Sequence, residues 1–107
     1  MYGWAALLFA ITFEVAGTTF MKLSDGFAKL APSVAMGVCY AISFGALTLA
    51  LKSIDVGVGY AIWSGLGTAA IAVIGVLLFG EVMTFERAFW LLLIVVGVVG
   101  LQLSSVR

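Results

Sequence analysis

Glu14 is the only charged side chain between Met1 and Met21, in a stretch otherwise made of apolar and small residues. A run of about 20 such residues is long enough to cross a bilayer as a helix, which puts this carboxylate near mid-membrane. An acid there carries a penalty of about 2.5–3.5 kcal/mol on insertion scales and marks a functional position by default. At helical spacing Leu7, Ala10, Glu14, Gly17, Thr18 and Met21 share one face. Ala10 and Gly17 clear space beside the carboxylate, and Thr18 sets a hydroxyl one turn away. The nearest base along the chain, Lys22, lies eight residues on, roughly 12 Å along a helix. A buried acid without a base is stabilised by taking up a proton or by a cation brought in from outside. Two further faces suit such a cation. One carries Tyr40, Ser43, Phe44 and Leu47; the other carries Tyr60, Trp63, Ser64 and Gly67. Aromatic rings attract cations through their π faces. Acid, hydroxyls and rings without a compensating base are the minimal equipment for proton-coupled export of organic cations.

Each of these residues also has a plainer reading. A single intramembrane glutamate can serve as a helix–helix hydrogen-bonding group. Tyr60 and Trp63 taken singly are packing residues, and Ser43 and Ser64 can bond back to their own helix carbonyls. Their co-occurrence with an uncompensated acid is what favours the functional reading. Other chemistries are poorly supported. The chain contains no histidine, and Cys39 is its only cysteine, so no imidazole-built zinc site and no internal disulfide is available. No nucleophile–base pair, phosphate loop, metal set or cofactor motif is recognisable, and no enzyme is expected. A net charge of zero without a basic stripe gives no sign of nucleic-acid binding.

The elements that must hold these faces follow from the charge pattern. Of 107 residues, 64% are hydrophobic and 9% charged, too little polar surface for a soluble domain of this size. Apart from Glu14, every charge falls between long apolar runs or at the C-terminus. The runs predict an all-α integral membrane protein, a single four-helix transmembrane domain over 1–107 with spans at approximately 2–21, 33–51, 56–79 and 88–103. The first residues lack the basic flank of a cleaved signal peptide. Pro32 suits a first helical turn. The short connection Lys52–Asp55 makes its flanking helices antiparallel neighbours.

Tyr2, Trp4, Phe27, Phe85 and Trp90 fall near span ends, where amphipathic rings favour the membrane interface. Lys22, Lys29 and Arg87 lie on one side; Lys52 and Arg107 lie on the other, with the amino terminus. This near balance gives almost no orientation bias, which permits insertion both ways and an antiparallel dimer. Small residues recur every four positions, as Gly37, Ala41 and Gly45 and as Gly57, Ala61, Gly65 and Ala69, a spacing that allows close helix contact. Gly65 and Gly67 weaken the middle of the third helix and are the candidates for a hinge. Gly97 and Gly100 offer a dimer contact on the fourth.

The segments Glu14–Lys22, Gly26-Phe27, Pro32-Ser33, Tyr40, Ser43 and Gly59–Gly67 together resemble the small multidrug resistance family of bacterial four-helix transporters. The likeness covers essentially the whole chain in length, span spacing and motif order. It implies an antiparallel homodimer with dual topology in the bacterial inner membrane, alternating access, and no cofactor. It also implies that protons and small organic cations compete for the paired Glu14 carboxylates. By position, Tyr40, Tyr60 and Trp63 would line the pocket, with Thr18 and Ser43 as polar neighbours of the acid. Gly65 and Gly67 match the kink of the third helix and Gly97 the fourth-helix contact. The guanidinium-exporting branch typically carries Gly and Trp where this chain has Ile11 and Gly17, and often Lys at Gln102, so the residues look like the quaternary ammonium branch. Gly17 in place of Trp would leave room for a larger substrate. Asp55 departs from the proline common in relatives, outside the pocket. The alternatives are a guanidinium or small-cation exporter of the same fold, a ring-forming proton-translocating subunit, and a non-transporting membrane assembly subunit.

Overall fold

In lipid, backbone N–H and C=O groups must find partners inside the chain, so a long apolar run is stable there only as helix or closed barrel. In the computed structural model, which describes residues 2–106, the runs are helices α1 (Tyr2–Leu23), α2 (Leu30–Ala50), α3 (Val56–Phe79) and α4 (Phe85–Val106). Among the described residues no strand forms, and all four helices are long and apolar enough to cross a membrane. The ring expected to anchor at Tyr2 and the terminal charge of Arg107 lie outside the described residues. Contacts gather the chain into two compact units, Met1–Asp55 and Val56–Arg107.

In the first unit α1 and α2 run antiparallel. Gly3 lies against Ser53 and Ala50, Ala10 meets Ser43, and Thr18 meets Tyr40, so the paired positions fall along one helix as they rise along the other. Leu7, Ala10, Ile11 and Val15 are buried on α1, as are Ala46, Leu47 and Ala50 on α2. The helices come close because small residues line the contact. A Cβ added at Gly3 would sit 3.3 Å from the Ala50 carbonyl oxygen and closer still to the Ser53 hydroxyl. The small-residue row Gly37, Ala41 and Gly45 is exposed, so α2 does not use it against α1.

The α1–α2 connection is a left-handed turn. Asp25, Gly26 and Phe27 have φ of 52°, 66° and 71°, a region that glycine enters freely, aspartate tolerates and phenylalanine rarely adopts. The buried Ser24 holds it. Its hydroxyl donates to the Met21 carbonyl at 2.8 Å and accepts from the Phe27 N–H at 3.2 Å. Phe27 is thereby turned outward and left 68% exposed, where an interfacial ring belongs.

In the second unit α3 and α4 form a hairpin. A Cβ on Gly65 would meet the Val98 side chain at 2.5 Å and that of Ile94 at 3.3 Å. Gly65 is thus the place where α4 rests on the α3 backbone, and α3 is helical on both sides of it. Gly67 is buried. The chain leaves α3 through Gly80 at φ 66°, and the N–H of Glu81 folds back onto the Gly75 carbonyl at 3.0 Å.

Five helix ends differ from the expected spans, among them the last residues of α2 at Ala50 and of α4 at Val106. α1 continues to Leu23. α2 begins at Leu30, because Pro32 needs no N–H partner in a first turn. α4 begins at Phe85, because the Thr84 hydroxyl accepts the Arg87 N–H at 3.1 Å and caps the helix there. Replacing Thr84 with Ala should cost about 1 kcal/mol of stability, while Ser at this position should retain most of it. Reversible unfolding in micelles measures both; equal losses would deny the cap its role.

Candidate functional site

Within the first unit, the hydrogen-bonded neighbours of Glu14 come from α1 and α2. Thr18, one turn on, donates its hydroxyl to Glu14 Oε2 at 3.0 Å. The same hydroxyl oxygen lies 2.6 Å from the Tyr40 hydroxyl. A threonine has one hydroxyl proton. With Glu14 ionised, Thr18 gives that proton to the carboxylate and accepts from Tyr40. With Glu14 protonated, the carboxyl can donate to Thr18, and Thr18 in turn to Tyr40. The three side chains therefore form one row whose polarity can follow the charge on the acid.

Tyr40 reaches this row because of Gly17. A Cβ at Gly17 would lie 2.8 Å from two carbons of the Tyr40 ring, well inside ordinary contact. The ring fills the hollow that the glycine leaves, and its hydroxyl is carried to Thr18. This corrects the expectation that Gly17 leaves room for a larger substrate: the space is occupied by the chain's own tyrosine. Sequence reasoning placed Gly17 and Thr18 on the face of Glu14, but nothing in the spacing shows which residue of α2 lies opposite.

Ser43, expected as a polar neighbour of the acid, bonds one helical turn before it. It is fully buried, and its hydroxyl donates to the Ala10 carbonyl at 2.7 Å rather than to Glu14. Ala10 lies four residues before Glu14, so its carbonyl is also the helical acceptor for the Glu14 N–H. Ser43 thus ties α2 to the helical turn that carries the acid. Tyr60 and Trp63 belong to the second unit, on α3, where their ring centroids are 5.5 Å apart. Tyr60 is 58% exposed, an open ring face. The structure thus brings together Glu14, Thr18 and Tyr40 in one unit and Tyr60 with Trp63 in the other.

Gly65, expected as a hinge, carries the Val98 contact; a Cβ at Gly97 or Gly100 would meet nothing within 4 Å. Those two glycines lie on an open part of α4, beside the exposed Val96, Val99 and Leu103. Among the described residues no group of histidine, cysteine and carboxylate side chains could hold a metal ion.

Comparison with known proteins places this geometry in a family. The family model described as Small Multidrug Resistance protein matches residues 2–94. The chain is 46% identical over 102 residues to the nicotine metabolites export pump subunit NepA of Paenarthrobacter nicotinovorans, covering 95% of this chain and 88% of that one. It is 49% identical over 105 residues to the quaternary ammonium compound-resistance protein QacE of Escherichia coli, covering 98% and 96%. The multidrug resistance protein EbrB of Bacillus subtilis (strain 168) is 43% identical over 105 residues, with coverage of 98% and 90%.

The close approach of Gly17 to Tyr40 sets an expected coupling. Gly17→Ala should cost about 1–3 kcal/mol, the usual penalty of forcing an extra methyl group into a packed contact. In a Tyr40→Ala background the same substitution should cost close to nothing. A double-mutant cycle on unfolding in micelles measures the difference. An equal cost in both backgrounds would show that the ring does not occupy that hollow.

Proposed function

The chain belongs to the small multidrug resistance family, and on that premise we propose that it is a proton-coupled antiporter of lipophilic and quaternary ammonium cations. The observation that carries this reading is the Glu14–Thr18–Tyr40 row. It is built around an acid in mid-span that has no base among the described residues within ion-pairing reach. Such an acid is stabilised by a proton or by a cation, and one carboxylate cannot bind both at full strength. Occupancy by one expels the other, which is the condition for exchange. Thr18 and Tyr40 orient the carboxylate, and Ser43 holds the helical turn beneath it. Tyr60 and Trp63 supply the aromatic faces for the cation. The names of QacE and EbrB, for quaternary ammonium and multidrug resistance, favour this substrate class over guanidinium. Gly17, whose hollow holds Tyr40, does not bear on that choice. The family's members are transporters rather than enzymes, and no cofactor enters the cycle.

The four helices act in this reading as one transmembrane domain, and two copies act as an antiparallel homodimer in the bacterial inner membrane, each contributing Glu14. Balanced charge at the span ends supports insertion in both orientations. The open face at Gly97 and Gly100 supports a helix–helix contact between copies. Alternating access then consists of exposing the shared acids first to one side and then to the other, with Gly65 and Gly67 as the flexible point of α3. The word "subunit" in the name of NepA favours a second arrangement, in which the partner is a related but different chain.

Proteoliposomes holding only this chain separate the two arrangements. With a proton gradient imposed, they should exchange a quaternary ammonium for protons, and Glu14→Gln should abolish the exchange. Coupled exchange that survives in the glutamine variant would overturn the carboxylate mechanism; inactivity that is relieved by a co-expressed relative would select the mixed pair.

Binding should also respond to pH in one direction. If a proton and the cation compete for Glu14, affinity for a quaternary ammonium should be higher at high pH than at low pH. Trp63→Ala should weaken an aromatic cation by about 0.5–2 kcal/mol while preserving this pH response. Equilibrium binding across a pH series measures both. A flat profile in the unmodified protein would remove the competition, and unchanged affinity in the Trp63 variant would remove the indole from the pocket.

A further inference from the structure

The α3–α4 connection holds a second arrangement of charge and ring, entirely inside the second unit. A groove of about 280 Å³ opens between the end of α3 and the start of α4. Val76, Leu91 and Ile94 form its apolar wall, and Glu81, Arg87 and Trp90 stand among its lining residues. By position these three sit at membrane-interface level. Glu81 comes two residues after α3 ends at Phe79, while Arg87 and Trp90 lie in the first two turns of α4. Long basic side chains and indoles favour this depth.

The two charges are held apart and aimed rather than paired with each other. Glu81 is fixed by its backbone N–H on the Gly75 carbonyl at 3.0 Å. Its carboxylate lies in the hollow left by Gly75, where an added Cβ would be 2.8 Å from Glu81 Cδ and would meet Oε1 more closely still. Among the described residues its oxygens have no hydrogen-bond or ion-pair partner. Arg87 Nη1 donates to the Val82 carbonyl at 2.6 Å, which orients the guanidinium, and its other N–H groups have no partner among the described residues. A fixed anion and a fixed cation therefore share the mouth of an apolar groove at headgroup depth.

From this geometry we propose that the α3–α4 groove binds a phospholipid whose headgroup carries both a phosphate and a primary ammonium, as phosphatidylethanolamine does. Arg87 takes the phosphate, for which its planar fork of donors is suited. Glu81 accepts from the ammonium, Trp90 lies at the glycerol level, and an acyl chain follows the apolar wall. The charge pattern selects this occupant. An anionic lipid without an amine satisfies Arg87 and leaves Glu81 facing like charge. A lipophilic cation alone satisfies Glu81 but meets the guanidinium. A choline headgroup carries the positive charge but no N–H to donate.

Native mass spectrometry of the full chain in detergent tests this, with phosphatidylethanolamine, phosphatidylglycerol and phosphatidylcholine of matched acyl chains as probes. The ethanolamine lipid should be retained about tenfold better than either of the others, the effect of one charge-assisted hydrogen bond. Glu81→Gln should abolish the preference, lowering retention of the ethanolamine lipid and, with the like charge removed, raising that of phosphatidylglycerol. Gly75→Ala keeps both charges but closes the hollow, and should also abolish the preference. Arg87→Gln should lower all three lipids. Equal retention of the three lipids by the unmodified chain overturns the proposal without reference to any variant. So does a preference that persists in either Glu81→Gln or Gly75→Ala. Loss of quaternary ammonium binding in Glu81→Gln with lipid retention unchanged would assign the groove to substrate instead.

Discussion

A carboxylate held in mid-span, with no base beside it among the described residues, is the constraint on which the first helix pair is built. Among the described residues Glu14 has no base in ion-pairing reach, and hydroxyl groups of the first unit are what orient it. Thr18 does so from one turn away, and its single proton makes the contact reversible in direction. Tyr40 extends the contact to α2, so that the charge state of α1 is felt by a neighbouring helix. A lysine in place of Tyr40 would give a fixed ion pair, and breaking a buried pair costs several kcal/mol. Neutral hydroxyls keep the acid hydrogen-bonded without locking its charge.

That arrangement depends on backbone proximity, which the glycines control. At Gly3, Gly17, Gly65 and Gly75 the missing side chain is replaced by a neighbour: Ser53, Tyr40, Val98 and Glu81 respectively. Gly37, Gly45, Gly57, Gly97 and Gly100 have nothing within 4 Å of the position a Cβ would take. The first group closes contacts inside each helix pair, and substituting it strains the pair. The second group leaves flat strips on the outside of the pairs. Similar four-residue spacings in the sequence therefore serve two purposes, and only the identity of the opposing residue tells them apart.

This difference explains what could be read in advance. Four membrane-length helices were legible because continuous apolar runs broken by charge have one stable form in lipid. The association of Thr18 with Glu14 was legible because residues four apart meet on a helix. The role of Gly17 was not, since it depends on which ring of α2 lies opposite, and that register is set by packing along the whole pair. The bond of Ser43 to the Ala10 carbonyl was not legible for the same reason: it depends on how far α2 slides along α1. The early start of α4 was hidden because Thr84 reads as an ordinary loop residue until the chain turns back at Gly80. Glu81 and Arg87 looked like loop charges, and only the fold over Gly75 shows that one of them is seated.

Large hydrophobic side chains remain exposed on all four helices, among them Leu8 and Phe9, Val34 and Phe44, Leu77 and Leu78, and Leu92 and Leu93. On a soluble chain this would be an aggregation hazard; in a bilayer it is the surface that lipid covers. Lipid is as apolar as these side chains, so the hydrophobic effect gives little drive for one helix to bury them against another. Specific polar contacts and close backbone approach must then select the pairs. In the first unit the selection comes from the Ser43–Ala10 bond, the Tyr40–Thr18 bond and the hollow at Gly17. The contacts that define this helix pair are also those that orient its acid. Substitutions at Gly17 or Ser43 therefore act on the packing of the pair and on the orientation of the acid together.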